Sequence, residues 1–189
     1  MPKSDKEKRE MQERSEKDFG HWLDEANIAW VYINQNPGDL FSGRLADKGR
    51  RPDFLVALPN LGVIAVDIKC ESTYRNYHHF GVNKETCQQY LGFRHEFNVP
   101  VWYAFNDIEQ QKTWYWIPVD DASRFPLKSE RNDGSSLETP FYQIGKEDCV
   151  KVGQADDLVK LIGYLIQNLR EQKNEKNEED GTSKADRII

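Results

Sequence analysis

Two apolar runs lie close together in this chain, and both carry charge that a buried strand has no structural reason to hold. Phe54-Leu55-Val56 is entered through Arg51-Pro52-Asp53, and Val63-Ile64-Ala65-Val66 continues into Asp67-Ile68-Lys69. Pro59-Asn60-Leu61-Gly62 joins them, a composition suited to a tight turn, so the pair reads as a hairpin. Strand side chains alternate faces. Asp67 and Lys69 therefore share one face, with Val66 and Ile68 on the other. Paired as a hairpin, Asp53 sits beside Asp67. Two carboxylates and one ammonium at a sheet end suit a hard divalent cation, which prefers oxygen ligands. A lysine next to such an ion suits proton transfer or charge stabilisation at a phosphate.

Each residue also has a plainer reading. Asp53 after Pro52 can simply start a strand or cap a turn. Asp67 and Lys69 can be a structural ion pair. Asp67 resists that reading most, because an unpaired buried carboxylate costs several kcal/mol, on the order of 3–5.

At 189 residues one domain is expected, with charged ends. Residues 1–14 read as a charged, frayed helix or disordered arm, residues 15–170 as the folded domain, and residues 171–189 as a disordered tail. No apolar run approaches the roughly 18–20 residues of a membrane span, and the N-terminal residues lack a signal-peptide core. Cys70, Cys87 and Cys149 show no CxxC spacing, which points to a reducing, cytoplasmic setting and away from zinc. The formal charge is -6, which argues against a general nucleic-acid coat but not against a local groove. Arg44, Lys48, Arg50 and Arg51 form one basic cluster just before Asp53, either a solvated loop or a phosphate clamp.

Along the chain, Phe19, Trp22, Leu23 and Ala26 make a helical apolar stripe from Ser15 onward. Ile28 to Ile33 reads as a strand and Asn34 to Arg51 as a long loop. Thr73 to Gly81 is an aromatic connection holding His78, His79 and Phe80. Lys84 to Phe97 reads as a helix with Cys87, Tyr90, Leu91 and Arg94 along one side. Val101 to Phe105 and Thr113 to Ile117 read as strands. Residues 118–153 are hard to read apart from a turn at Asn132 to Ser136. Ala155 to Arg170 is expected to be an amphipathic helix burying Leu158, Val159, Leu161, Ile162, Leu165, Ile166 and Leu169.

Pro52-Asp53, a gap and Asp67-Ile68-Lys69, on a hairpin between two helices, resemble the PD-(D/E)XK nuclease superfamily. Within it the pattern is most similar to the archaeal Holliday-junction resolvase branch and restriction-type endonucleases. That family places a glutamate on its first helix, and Glu16, followed by Phe19, Trp22 and Leu23, has the matching spacing. Its second helix and strand resemble Cys87 to Phe105. The resemblance spans residues 15–117 and implies an α/β, restriction-endonuclease-like core, αβββαβ, with a central mixed sheet flanked by helices.

The activity it implies is metal-dependent hydrolysis of phosphodiester bonds, most simply as a DNA endonuclease. Asp53, Asp67 and the backbone carbonyl of Ile68 would hold Mg²⁺ at about 2.1 Å, with Mn²⁺ able to substitute. Lys69 would orient or deprotonate water, and Glu16 would bind a second cation or its water shell. Arg44, Lys48, Arg50, Arg51 and Gln88, with Gln89 its neighbour, would meet nucleic acid. Glu71 extends the Asp67 face as a strand-end residue. Trp102, Trp114 and Trp116 read as packing residues rather than base-stacking platforms. Relatives of this kind commonly act as homodimers, and Tyr74–Phe80 and the 155–170 helix offer surfaces for pairing unless they are core. A nuclease fold that serves only as a binding or assembly subunit stays open, as does an unrelated α/β protein with an ion-pair network.

Overall fold

The computed structural model describes residues 4–33, 50–59, 62–70, 79–106, 113–130, 134–158, 160–164 and 166–167. Helix α1 (Asp5–Glu25) is continuous from the charged N-terminal residues into the apolar stripe. Ser4 and Glu7 form a reciprocal capping box at its start, which satisfies main-chain N–H groups that otherwise lack partners. Its first half presents i,i+4 pairs such as Arg9–Glu13 to solvent. Its second half buries Ser15, Phe19, Trp22 and Leu23. Asn27, at φ 52°, ends it in the left-handed conformation that asparagine tolerates.

A three-strand meander follows, made of β1 (Trp30–Tyr32), β2 (Phe54–Leu58) and β3 (Gly62–Cys70). The β2–β3 hairpin is antiparallel, with Phe54 opposite Val66 and Leu58 opposite Gly62. Strand β4 (His79–Asn83) leaves this sheet. Helix α2 (Lys84–Phe97) has the bounds read from the sequence, with the Asn83 side chain capping Thr86 N–H and left-handed Asn98 closing it. Strand β5 (Val101–Asn106) then runs parallel to β3, and β6 (Trp114–Pro118) pairs antiparallel with β5. The six-stranded order is β1-β2-β3-β5-β6-β9, with β9 (Val150–Val152) at the far edge. The expected αβββαβ order is present, with β4 inserted before α2, around a central mixed sheet flanked by helices.

Alternation along these strands divides the core in two. On the α1 face lie Phe54, Val56, Ile64, Val66, Ile68, Trp102, Trp114 and Trp116. The three tryptophans are core residues, as read. On the other face, Ala65, Tyr103, Phe105 and Ile117 pack against Cys87, Tyr90 and Phe93 of α2.

Three segments depart from, or go beyond, their sequence reading. His79, Phe80 and Gly81 are strand, not connection, because Phe80 is buried and stacks on Phe105 at 4.1 Å between centroids. The formerly unreadable region supplies β7 (Leu127–Glu130) and β8 (Ser136–Gly145), which join β4 in a second sheet, β4-β8-β7. That sheet covers the α2 side through Phe80, Val82 and Ile144. The helix expected at 155–170 starts as a 3-10 turn at Ala155–Leu158 and is helical at 160–164 and 166–167. Leu158 and Leu161 are core, but Ile166 is exposed, and Val159, Leu165 and Leu169 lie outside the described side chains. Phe80, Leu158 and Leu161 are thus engaged within one chain, which removes them as surfaces for a dimer. No helix among the described residues is long and apolar enough to cross a membrane.

Phe19 anchors α1 to the sheet, with its ring within 4.8–5.9 Å of Trp22, Phe54, Trp114 and Trp116. Phe19→Ala should cost about 3–5 kcal/mol, read as a lowered denaturation midpoint with an unchanged denaturant slope.

Candidate active site

The site forms where β2 ends and β3 continues. One step beyond the Phe54–Val66 pair, Asp53 comes opposite Asp67, and Asp53 N–H donates to the Val66 carbonyl at 3.0 Å. The Ile33 N–H donates to the Asp53 carbonyl at 2.8 Å, which fixes the main chain from the β1 side. Past this point no strand among the described residues pairs with β3 on its β2 side. The Ile68 N–H donates instead to Asp53 Oδ2 at 2.7 Å, so the carboxylate replaces the missing strand.

Both carboxylates are deep: Asp53 is 7% exposed and Asp67 2%. Burial first, and then the Asp67 charge, push the Asp53 carboxyl up to about 8; Glu16 adds to this, while the Ile68 N–H and Lys69 oppose it. Asp67 Oδ1 accepts a hydrogen bond from the Tyr90 hydroxyl of α2, whose oxygen also lies 3.3 Å from the Arg51 carbonyl. Burial and the charges of Asp67 and Asp53 hold the Tyr90 phenol well above its ordinary pKa, so it stays a donor. Lys69 Nζ stands 2.6 Å from Asp67 Oδ2. It lies out of line for a hydrogen bond, which leaves that buried oxygen without an aligned donor. The same ammonium is 5.8 Å from the centroid of the Tyr103 ring, the register neighbour of Asp67 on β5.

Glu16 comes from α1, on the opposite side of the sheet from α2. Its Oε1 accepts from Gln12 Nε2 at 2.9 Å and its Oε2 from the Tyr32 hydroxyl at 2.9 Å. Gln12 Nε2 also donates to the Ile68 carbonyl at 2.8 Å. Burial, followed by the bond to Glu16, raises the Tyr32 phenol to about 12.

The expected residues are therefore distributed unevenly. Asp53, Asp67, Ile68 and Lys69 come together directly, and Glu16 reaches them through Gln12. Among the described residues no three His, Cys, Asp or Glu side chains converge closely enough to hold an ion alone. The donor set still suits Mg²⁺, which binds through one or two carboxylates and keeps several waters. Two buried carboxylates, one of them with an oxygen lacking an aligned donor, and the remaining lone pair of the Ile68 carbonyl are ligands of that type.

Of the basic cluster, Arg44 and Lys48 lie outside the described residues. Arg50 donates to Thr86 Oγ1 of α2 at 3.3 Å. Partial burial works against its charge, but Tyr90, Asp67 and Asp53 outweigh this and raise its pKa. Gln88 is exposed and Gln89 half-buried, and the α2 side chain that touches a site carboxylate is instead Tyr90. His79 is half-buried with Nδ1 unpartnered, and Glu71 and His78 lie outside the described residues. Gln12, Tyr32 and Tyr90 were missed as site residues. The available signal was spacing: Gln12 lies one helical turn before Glu16, and Tyr90 lies on the buried face of its helix.

No family profile matches the chain, and no curated protein matches it at significant similarity. Among solved structures, it is similar to Hjc, a Holliday junction resolvase from Archaeoglobus fulgidus, at 17% identity over 71% of this chain and 88% of that one, with a TM-score of 0.47. It is also similar to D212, a nuclease from a fusselovirus, at 10% identity over 89% and 98% of the two chains, with a TM-score of 0.44.

Because Asp53 keeps its proton in the folded protein up to about pH 8, while an unfolded aspartate loses it near pH 4, the native state holds more protons between those values. Stability without divalent cation should fall as pH rises through this window, by at most about 1.4 kcal/mol per pH unit, and level off above it. Asp53→Asn should flatten the slope, as read from urea midpoints across pH 4–9.

Proposed function

We propose that this protein is a divalent-cation-dependent nuclease that hydrolyses phosphodiester bonds, acting on DNA. The observation that supports this most is the surplus buried acid at the hairpin end. Two carboxylates are buried against one half-buried ammonium. Uncompensated buried charge is strongly unfavourable. A structural ion pair with Lys69 would need one acid, not two; burial beside Asp67 holds Asp53 protonated when no cation is bound, and a cation would stabilise its ionised form. This favours the nuclease reading over a purely structural network.

Asp53, Asp67 and the Ile68 carbonyl would hold the cation, with Glu16 at its margin. When bound, a hard divalent ion supplies electrostatic stabilisation to the phosphate and acidifies water for attack. Lys69, at the mouth of the site, would orient the attacking water, accept or return its proton at Nζ, and offset charge on the phosphate. Tyr90 would keep Asp67 Oδ1 in a fixed direction, as a supporting hydrogen bond does for a ligating carboxylate. Arg50 and Arg51, with Arg44 and Lys48, would guide the phosphate backbone toward Asp53. Two copies of the chain, each with one such site, would suit cutting both strands of a duplex.

Cleavage assays with Mg²⁺ or Mn²⁺ on linear, branched and single-stranded DNA and on RNA test the proposal. It fails if no substrate is cut with either ion. Asp67→Asn should abolish cleavage and weaken Mn²⁺ binding in calorimetry while the fold is kept. Lys69→Ala should slow cleavage by roughly 10²–10⁴ with Mn²⁺ affinity largely retained. Lys69→Arg should not restore the rate, because a guanidinium does not give up its proton.

Replacing Arg44, Lys48, Arg50 and Arg51 with Ala should weaken all substrates to a similar degree. The dependence of binding on salt should flatten, since phosphate contacts position the duplex without reading its sequence. An unchanged salt slope would place the nucleic acid elsewhere on the surface.

A further inference from the structure

We propose that Gln12 is a positioning residue of this site, tying the Glu16 carboxylate to the Ile68 carbonyl and so bringing α1 into cation binding. The inference rests on the cation-dependent reading above and deepens it. It starts from a gap in the sheet. Strand β2 begins at Phe54, so the main-chain groups of Ile68 that point to that side lie beyond the last strand partner. Asp53 Oδ2 takes the Ile68 N–H, and Gln12 Nε2, from a residue 56 positions earlier, takes the carbonyl. Capping a lone carbonyl would use one hydrogen of the Gln12 amide. The other goes to Glu16 Oε1 at 2.9 Å.

Both neighbours of that amide can only accept, so its nitrogen and not its oxygen must face them. Gln12 and Glu16 are four residues apart, one above the other on the same helix face. Tyr32 holds the second carboxylate oxygen, so Glu16 is gripped at both oxygens, unlike a solvated surface glutamate. The Ile68 carbonyl keeps a second lone pair for a cation while Gln12 occupies the first. One amide thus fixes two prospective ligands, one from the helix and one from the strand, in a single orientation.

The test is a double-mutant cycle on the full chain, with Mn²⁺ affinity measured by calorimetry and melting temperature in cation-free buffer. Gln12→Met keeps the bulk of the side chain and removes both donors. It should weaken Mn²⁺ binding roughly 10- to 100-fold, the usual range for a residue that supports a metal ligand. Glu16→Ala should weaken binding as well, and the double variant should lose clearly less than the product of the two single losses, because part of each loss runs through the Gln12–Glu16 contact. If Gln12→Met lowers the melting temperature but leaves Mn²⁺ affinity within twofold of wild type, Gln12 is only a strand-end cap and the inference is overturned. Losses that multiply in the double variant overturn it as well. Should the Met variant not fold, Gln12→Ala, the best helix former at that position, carries the same comparison. Absence of Mn²⁺ binding by the wild-type chain would instead overturn the nuclease reading beneath it.

Discussion

The structure depends on β3 being central in its sheet yet charged near its end. Pairing with β2 on one side and β5 on the other, and packing on both faces, exclude water from its middle. Asp67 follows directly on that dry stretch, one register step past the end of β2. The short β2 leaves the Ile68 main chain without a strand partner at the same place. Main-chain groups that lose a partner in a buried setting must find another, and here the substitutes are a carboxylate and a side-chain amide. The sheet defect and the site have one cause.

Both layers around the sheet converge on that defect. Helix α1 packs through Phe19, Trp22 and Leu23, and this docking brings Gln12 and Glu16 to the strand end. Helix α2 packs through Cys87, Tyr90 and Phe93 on the opposite face, which brings the Tyr90 hydroxyl to Asp67. The second sheet closes the α2 side with Phe80, Val82 and Ile144. Each helix thus commits its apolar stripe to the core and brings polar groups to the strand end, Gln12 and Glu16 from α1 and the Tyr90 hydroxyl from α2. This arrangement keeps the acids dry enough to raise the Asp53 pKa and gives Asp67 a fixed donor.

Much of this was legible in the chain. The β2–β3 hairpin, the Lys84–Phe97 helix, the order of the core elements and the meeting of Asp53, Asp67 and Lys69 follow from patterns a few residues long. Strand alternation and helical turns act locally, so charged residues inside an apolar period stand out wherever they fall. The second sheet was not legible, because β4 lies in an aromatic segment that resembles a loop and gains its strand partner, β8, some sixty residues later. The amphipathic helix at 155–170 was over-read for a related reason. Periodicity shows a face able to be buried, but the available core surface took Leu158 and Leu161 and left Ile166 outside.

By itself the sequence determined which residues could carry chemistry and on which strand they would meet. Only the tertiary structure decided how those residues are held. Whether Gln12 reaches Ile68, whether Tyr32 grips Glu16, and whether Tyr90 rather than Gln88 faces Asp67 depend on how two helices dock across a sheet. Those contacts join residues from 16 to 56 positions apart in the chain. A hydrogen bond is lost within a few tenths of an ångström and tens of degrees, while the hydrophobic packing that sets the docking is non-directional. Local pattern therefore names the carboxylates, and only the packed core aims the groups around them.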